Sequence, residues 1–370
     1  MVARIRPVTS PTRPSVSVVI PCYEYGHFLP DAVESALSQT GVDVDVLIID
    51  NASSDNSPEV AKSLAASDSQ VKCILRESNQ GHIASFNEGL SRASGDYVVL
   101  LCADDMLAPG SLRRSTALLD ARPEVAFAYG HAPSFVGRVP AARTEVRSWS
   151  VWSGPEWIDH ICHQGHSVVT SPEVVMRGSV MSGLRYDTTN GHAADLKLWL
   201  DAARCGSVGR VNGPDQAYYR VHGANLHLNE YGGWLIDLRA RARAFEAFSE
   251  ELGNEQEIEP FEGVERGAGM ARMRETWRRA LAEEALDEAC RSYDRGRVVP
   301  SDVRDLEEFA ISTYPAARQL PQWRGLARRK AVGERLSRFV PIFFVSAIRR
   351  RLGEEVAHRR WVRTGLYESG

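Results

Sequence analysis

Short apolar runs alternate with stretches of helical spacing through the first third of the chain. The runs are Val16 to Ile20, Val44 to Asp50, Val71 to Leu75 and Tyr97 to Leu101. Each is brief and rich in apolar, largely β-branched residues, and reads as a strand buried on both faces. Between the runs, stretches have apolar spacing near a 3.6-residue period: Phe28, Ala32, Ala36 and Leu37, then Val60, Ala61 and Leu64, then Ile83, Phe86 and Leu90 with the polar Asn87 on the same face. Strand, helix and strand in repeated alternation predicts an α/β fold, a mainly parallel sheet with covering helices.

In such sheets ligands sit beyond the carboxyl ends of the strands, so the residues that follow each run are the ones to inspect. They are polar and varied: Pro21-Cys22-Tyr23-Glu24 after the first, Asp50-Asn51-Ala52-Ser53-Ser54-Asp55 after the second, and Cys102-Ala103-Asp104-Asp105 after the fourth. All are expected to converge on one edge. From Val125 to about Tyr219 the pattern is less regular, with one strong helical segment at Ala193 to Ala203, and reads as the second half of the same domain. Beyond Asn225 the chain turns helical and charged. The expected divisions are a disordered lead-in over 1–15, a domain over 16–225 and a helical C-terminal region over 226–370.

Composition narrows the partners. A formal charge of -4 with 25% charged residues argues against a general polyanion binder, so nucleic acid is not expected. The six cysteines are scattered without a C-x-x-C pair, which suggests neither a disulfide framework nor a zinc site and fits a reducing cytoplasm. Only four lysines stand among 44 basic residues, a bias that hints at a GC-rich genome. No run approaches the roughly 20 apolar residues of a membrane-spanning helix. The longest candidate, Phe339 to Ile348, is interrupted by Pro341 and Ser346, and a spanning helix is not expected.

Adjacent carboxylates at a buried strand's end raise each other's pKa unless something positive neutralises them. A divalent cation is the natural remedy for Asp104 and Asp105, since Mg²⁺ or Mn²⁺ prefers oxygen ligands and commonly combines carboxylates with substrate phosphates. The plainer alternative is an Asp-Asp turn that caps the next helix.

Several spaced motifs together resemble the family 2 glycosyltransferases. They are Val16-Ser17-Val18-Val19-Ile20-Pro21-Cys22-Tyr23, Ile49-Asp50-Asn51-Ala52-Ser53-Ser54-Asp55, Asn79-Gln80-Gly81, Asn87-Glu88-Gly89-Leu90, Ala93-Ser94-Gly95-Asp96-Tyr97 and Leu100-Leu101-Cys102-Ala103-Asp104-Asp105. The resemblance covers roughly Val16 to Asn225 and implies a GT-A fold, a Rossmann-like domain that binds a nucleotide-sugar donor. It implies that Pro21, Tyr23, Glu24, Asp50 and Asn79 contact the donor, with Tyr23 and Asp50 on the base, Asp104 on the ribose and Asp105 on a Mg²⁺ or Mn²⁺ ion at the diphosphate. A tyrosine ring stacks on a base while a carboxylate accepts from an imide N–H, which favours UDP- or dTDP-type donors. Taken alone, Tyr23 also reads as an ordinary surface tyrosine and Asp50 as a turn-former.

Glycosyl transfer needs a base for the acceptor hydroxyl. The stretch Ala194-Asp195-Leu196-Lys197-Leu198-Trp199-Leu200 resembles the family segment in which an acidic pair precedes a helix, and its second acid, Asp195, is the expected base. The alternative is an aspartate favouring a helix N-terminus. Downstream, Tyr218-Tyr219-Arg220-Val221-His222-Gly223-Ala224-Asn225 is similar to a family loop that closes over the donor; Arg220 and His222 are expected to neutralise the departing diphosphate, or His222 to bind the metal. Three departures stand out: Ala194 replaces the first acid of its pair, Phe86 an arginine, and Cys102 an acid or asparagine.

The expected activity is an inverting transfer of a sugar to an acceptor hydroxyl on a glycan, a lipid-linked intermediate or a natural product. The rivals are a non-catalytic nucleotide-sugar-binding or scaffolding protein on the same fold and a sugar nucleotidyltransferase, which typically has a glycine-rich basic loop where this chain has Pro21-Cys22-Tyr23-Glu24. From Arg318 to Arg363 thirteen Arg and Lys face only Glu334, Glu354 and Glu355, a segment near +10. That tail suits peripheral contact with the inner face of a membrane, packing against the acidic stretch from Glu246 to Glu259, or a homodimer.

Overall fold

The computed structural model describes residues 3–9, 12–225, 233–254 and 266–337, with scattered positions between 339 and 361. The expected acids Glu255, Glu257 and Glu259 and the tail residues Ile342 and Phe344 lie outside the described residues. Two compact units are present, one holding the chain to Trp157 and Val168–Asn225, the other Ile158–Ser167 and Leu226–Trp361.

In chain order the first elements are β1 (Ala3–Ile5), β2 (Ser15–Cys22), α1 (Leu29–Leu37), β3 (Asp43–Asp50), α2 (Ser57–Ser67), β4 (Val71–Leu75), α3 (His82–Arg92) and β5 (Tyr97–Leu100). There follow β6 (Met106–Leu107), α4 (Ser111–Ala121), β7 (Val125–His131), β8 (Ser134–Phe135), β9 (Ser148–Trp152) and α5 (Gly154–Gln164). The first unit ends with β10 (Val175–Arg177), α6 (Gly178–Met181), α7 (Ala194–Arg204), β11 (Ser207–Asp215) and β12 (Ala217–Arg220).

One nine-stranded sheet, in the order β1-β9-β11-β7-β10-β5-β2-β3-β4, organises this unit. The block β5-β2-β3-β4 is wholly parallel. Its strands are the four apolar runs of the sequence, and Val16, Val18, Ile20, Val46 and Ile48 are fully or almost fully buried. Beyond β5 the sheet is mixed: β10 runs antiparallel to both β5 and β7, while β11 is parallel to β7 and antiparallel to β9. A small sheet in the order β6-β12-β8 lies apart from it and carries Arg220 at the end of β12.

Helix α3 approaches the parallel block closely because it carries Gly89. A Cβ there would stand 2.1 Å from Val19 Cγ1, so the motif Asn87-Glu88-Gly89-Leu90 has a packing cause as well as any functional one. The lead-in, expected to be disordered, instead contains β1, which pairs antiparallel with β9 from Ala3 opposite Val151 to Ile5 opposite Trp149. Pairing satisfies the open backbone edge of β9, and Ile5 packs against the core, two tertiary gains with no local signature.

The second unit is helical: α8 (Trp234–Asn254), α9 (Arg266–Arg295), α10 (Pro300–Thr313), α11 (Pro321–Val332) and α12 (Glu334–Ser337). Phe245 of α8 stacks on Trp277 of α9 with centroids 5.5 Å apart. Arg241, 6% exposed, is satisfied by Asp237, Glu284 and the Gly165 carbonyl, so its buried charge is fully paired. All six cysteines are free thiols.

Candidate active site

The loops after β2 and β3 form one wall of the site. Asp50 ends β3 and is 1% exposed; its Oδ2 accepts from the Ser53 N–H at 3.1 Å, while its Oδ1 is buried with no hydrogen-bond partner among the described residues. An orphaned buried acceptor costs about 1–3 kcal/mol and is the signature of a position that waits for a donor. Glu24 and Ala52 both adopt left-handed backbone conformations, with φ of 58° and 60°, which is strained for residues with a Cβ and clusters at functional sites.

Bonds between the two loops hold that strain in place. The Glu24 N–H donates to Ser53 Oγ at 2.9 Å and Ser54 Oγ to Glu24 Oε1 at 2.7 Å. Tyr23 leaves its ring 44% exposed beside this brace, and Pro21 pairs in register with Ile49 just before Asp50. Asn79 accepts from Asn51 Nδ2 and from the Gly81 N–H, each at 2.8 Å, and so ties the loop after β4 to the loop after β3. Sequence reading missed Arg76, which donates to Glu88, to Asn51 Oδ1 at 3.2 Å and to Ser85 at 3.2 Å. The available signal was its position immediately after β4, the same strand-end rule that pointed to Asp50.

Asp104 and Asp105 follow β5 at the same edge, 8% and 2% exposed. Asp104 Oδ2 accepts from His222 Nε2 at 3.1 Å and from Asn225 Nδ2 at 3.3 Å. His222 Nδ1 in turn accepts from the Ala224 N–H at 3.2 Å, which assigns the ring proton to Nε2 and makes His222 the donor to Asp104. Asp105 Oδ1 accepts the Arg220 N–H at 2.9 Å. Burial first, and then the neighbouring Asp104 charge, push the Asp105 carboxyl well above the usual carboxylate range, with Arg220 only partly opposing them.

These residues fit a divalent cation. Ligand atoms of Cys102, Asp104 and Asp105 all lie within 4.8 Å of one another, and a cation would relieve the carboxyl crowding. Cys102 fits least well: burial, then the charges of Asp104, Asp105 and Asp195, raise its thiol well above the ordinary value and keep it protonated. The two carboxylates are the hard oxygen donors that Mg²⁺ or Mn²⁺ prefers.

Arg220, expected to face the departing diphosphate, makes several contacts within the chain. Its Nε donates to the Asp104 carbonyl at 2.8 Å, its Nη2 to Asp31 Oδ2 at 2.9 Å, and the guanidinium lies 4.6 Å from the Phe28 ring centroid and 4.8 Å from that of Phe135. Paired and sandwiched in this way, it braces the acidic pair. The 222–225 turn is pinned from the other side, because Tyr25 Oη donates to the Ala224 carbonyl at 2.8 Å and its ring meets His222 edge-on at 5.4 Å. Tyr25 and Asn225 were not singled out from the sequence as site residues.

Asp195 lies in the first turn of α7, where its Oδ1 accepts the Leu196 N–H at 2.7 Å. Its negative charge adds to the upward push on the Cys102 thiol and the Tyr186 hydroxyl, behind burial in each case. Ala194 beside it is buried, leaving a single carboxylate. Phe86, a departure from the arginine of the resembled motif, meets Tyr186 at 5.1 Å, and Asn87 clamps the Tyr186 backbone with two bonds, Nδ2 to its carbonyl at 2.9 Å and its N–H to Oδ1 at 2.8 Å.

Residues 17–187 match the family model described as Glycosyl transferase family 2. An uncharacterized glycosyltransferase of Nostoc is 28% identical over 229 residues, 58% of this chain and 67% of the relative. One from Haemophilus influenzae is 23% identical over 216 residues, 57% of this chain and 66% of that protein. Among solved structures, Staphylococcus aureus TarS in complex with UDP-GlcNAc aligns with a TM-score of 0.54 at 15% identity, over 82% of this chain and 92% of that one. Mannosyltransferase PcManGT from Pyrobaculum calidifontis, in complex with GDP-Man and Mn²⁺, aligns with a TM-score of 0.51 at 14% identity, over 95% and 90%. At these identities the structural likeness establishes the fold alone, and that fold is GT-A.

Proposed function

We propose that this chain, whose residues 17–187 match the glycosyl transferase family 2 model, moves a sugar, with inversion, from a uridine or thymidine diphosphate sugar to an acceptor hydroxyl. The observation that carries the reading is the buried Asp104–Asp105 pair just after β5, together with Asp50 at the end of the parallel strand β3, whose Oδ1 has no hydrogen-bond partner among the described residues.

In this reading Asp50 Oδ1 accepts the imide N–H of the base and the exposed Tyr23 ring stacks on it, while Pro21, Glu24 and Asn79 shape the wall around them. Asp104, oriented by His222 and Asn225, faces the ribose. Asp105 and Asp104 would hold a Mg²⁺ or Mn²⁺ ion, which supplies positive charge to the diphosphate leaving group. His222 supports this arrangement through its Nε2–H, and it offers Nε2 as a ligand only after giving up the bond to Asp104. Arg220 is assigned a positioning role, fixing Asp105 through its backbone N–H and the Asp104 carbonyl through Nε.

Asp195 takes the acceptor proton as the oxygen attacks the anomeric carbon and the bond from that carbon to the diphosphate breaks. One displacement inverts the centre. With Ala194 in place of a second acid, the whole proton transfer falls to Asp195. A thermal-shift panel of nucleoside diphosphates with Mg²⁺ or Mn²⁺ tests the donor assignment. UDP or dTDP is expected to raise the unfolding temperature, and a response confined to GDP or ADP would overturn the assignment of Asp50.

A further inference from the structure

Independently of the sugar-transfer reading, we propose that the C-terminal end of the helical unit is a docking face for an anionic lipid surface. Of the twelve large hydrophobic residues exposed among the described residues, six fall between 336 and 356: Leu336, Phe339, Val345, Ile348, Leu352 and Val356. Scattered apolar side chains need no explanation, but half of them in one short stretch do.

Four of the six, at 345, 348, 352 and 356, recur at helical spacing along the sequence. The described positions 345, 348, 352 and 356 are each helical, and their spacing at about 100° per residue gathers them within roughly 80° of arc. The same arithmetic sets Phe343 and Trp361 on the opposite side. Those two are 6% and 8% exposed, and Arg329 of α11 lies 4.4 Å from the Phe343 ring centroid. This segment therefore already has an inward anchor within its own unit. Val345, Ile348, Leu352 and Val356, between 42% and 64% exposed, are a second apolar face left over after that docking.

Charge decides what covers it. Between 334 and 361 the sequence has seven arginines against Glu334, Glu354 and Glu355, inside a stretch near +10 from Arg318 to Arg363, on a chain whose total is -4. A second copy seated on this face would bring two strongly positive segments together, which like-charge repulsion opposes. An anionic bilayer complements both features: the apolar side chains enter the headgroup boundary and the arginines meet lipid phosphates. None of the described helices is long and apolar enough to cross a membrane, so the contact is peripheral.

The test is co-sedimentation of the full chain with vesicles of mixed phosphatidylglycerol and phosphatidylcholine, and with vesicles of phosphatidylcholine alone. Binding is expected to the mixed vesicles only and to weaken as salt is raised. Leu352→Glu combined with Val356→Glu, two exposed positions, is expected to reduce partitioning about tenfold or more, with an unchanged thermal unfolding curve. Equal binding to both vesicle types, no binding at low salt, or binding indifferent to the double substitution would overturn the proposal. So would a wild-type dimer that the double substitution dissociates, since a second copy would then be the occupant.

Discussion

Arg220 and Asp31 form an ion pair of 2.9 Å between residues 189 positions apart, and it ties helix α1 to the strand that braces the acidic pair. The arginine is the buried partner, its side chain 10% exposed, whereas that of Asp31 is 52% exposed. Removing either side is therefore not equivalent. Arg220→Gln is expected to cost about 3 kcal/mol by leaving the Asp104 carbonyl and the Phe28–Phe135 slot unfilled. Asp31→Asn should cost under about 1 kcal/mol, in line with an exposed partner. Chemical denaturation of both variants checks this, and equal losses would contradict the bracing role of Arg220.

Asp195→Asn is expected to leave donor affinity unchanged and to lower turnover by about two to four orders of magnitude, as the loss of a general base does. The check is calorimetric donor affinity alongside transfer rate. Unchanged turnover removes Asp195 from the mechanism.

Gly89→Ala should destabilise the fold by about 1–3 kcal/mol, because its Cβ would meet Val19 Cγ1 at 2.1 Å. Adding Val19→Ala makes room for that Cβ, so the double variant is expected to recover part of the loss in a thermal melt. Strictly additive losses would show that the two positions do not compete for space.

Glu173 gives a pH signature. Burial pushes its carboxyl up to about 8, against the opposing Thr170 N–H, the Arg210 charge and the Ala132 N–H; its Oε2 has no hydrogen-bond partner among the described residues. The folded value exceeds the unfolded one, so the folded state binds the proton more tightly. Stability is then highest below the unfolded value of 4.5 and falls as pH rises toward 8, by about 1.4 kcal/mol per unit at most. Glu173→Gln removes that slope. Denaturation midpoints between pH 5 and pH 8 should fall more steeply for the native chain than for the variant, and parallel curves would contradict the assignment.

The parts of the fold that sequence reading captured are those whose burial is symmetrical. Strands β2 and β5 are buried at nearly every position and their apolar runs show it without tertiary knowledge, whereas β3 alternates over its first half and β4, at the sheet edge, is mostly half-buried. The mixed half was harder to read, since β11 carries Arg210 and Asn212 in its buried interior and shifts register between Arg210 and Asp215. Strand β1 has no apolar run at all and exists through its pairing with β9.

A similar division holds at the site. Asp50 closes β3 and Asp104 and Asp105 come after β5, all at the carboxyl ends of parallel strands, a placement that the chain order already implies. The role of Arg220 was illegible because it depends on Asp31, Phe28 and Phe135, none of which is near it in sequence. Asn51, Asn79 and Arg76 form one bonded chain across two loops, and only the fold brings those loops together.

In the proposed reaction Asp105, with Asp104, holds a divalent cation at the donor diphosphate. Isothermal calorimetry of UDP binding with Mn²⁺ and then with excess chelator, on the native chain and on Asp105→Ala, tests it most directly. Affinity is expected to fall at least about tenfold with chelator and to be equally weak in the variant whether or not Mn²⁺ is present. Equal affinity in chelator and Mn²⁺ for the native chain, or an Asp105→Ala variant that keeps its Mn²⁺ response, would contradict it.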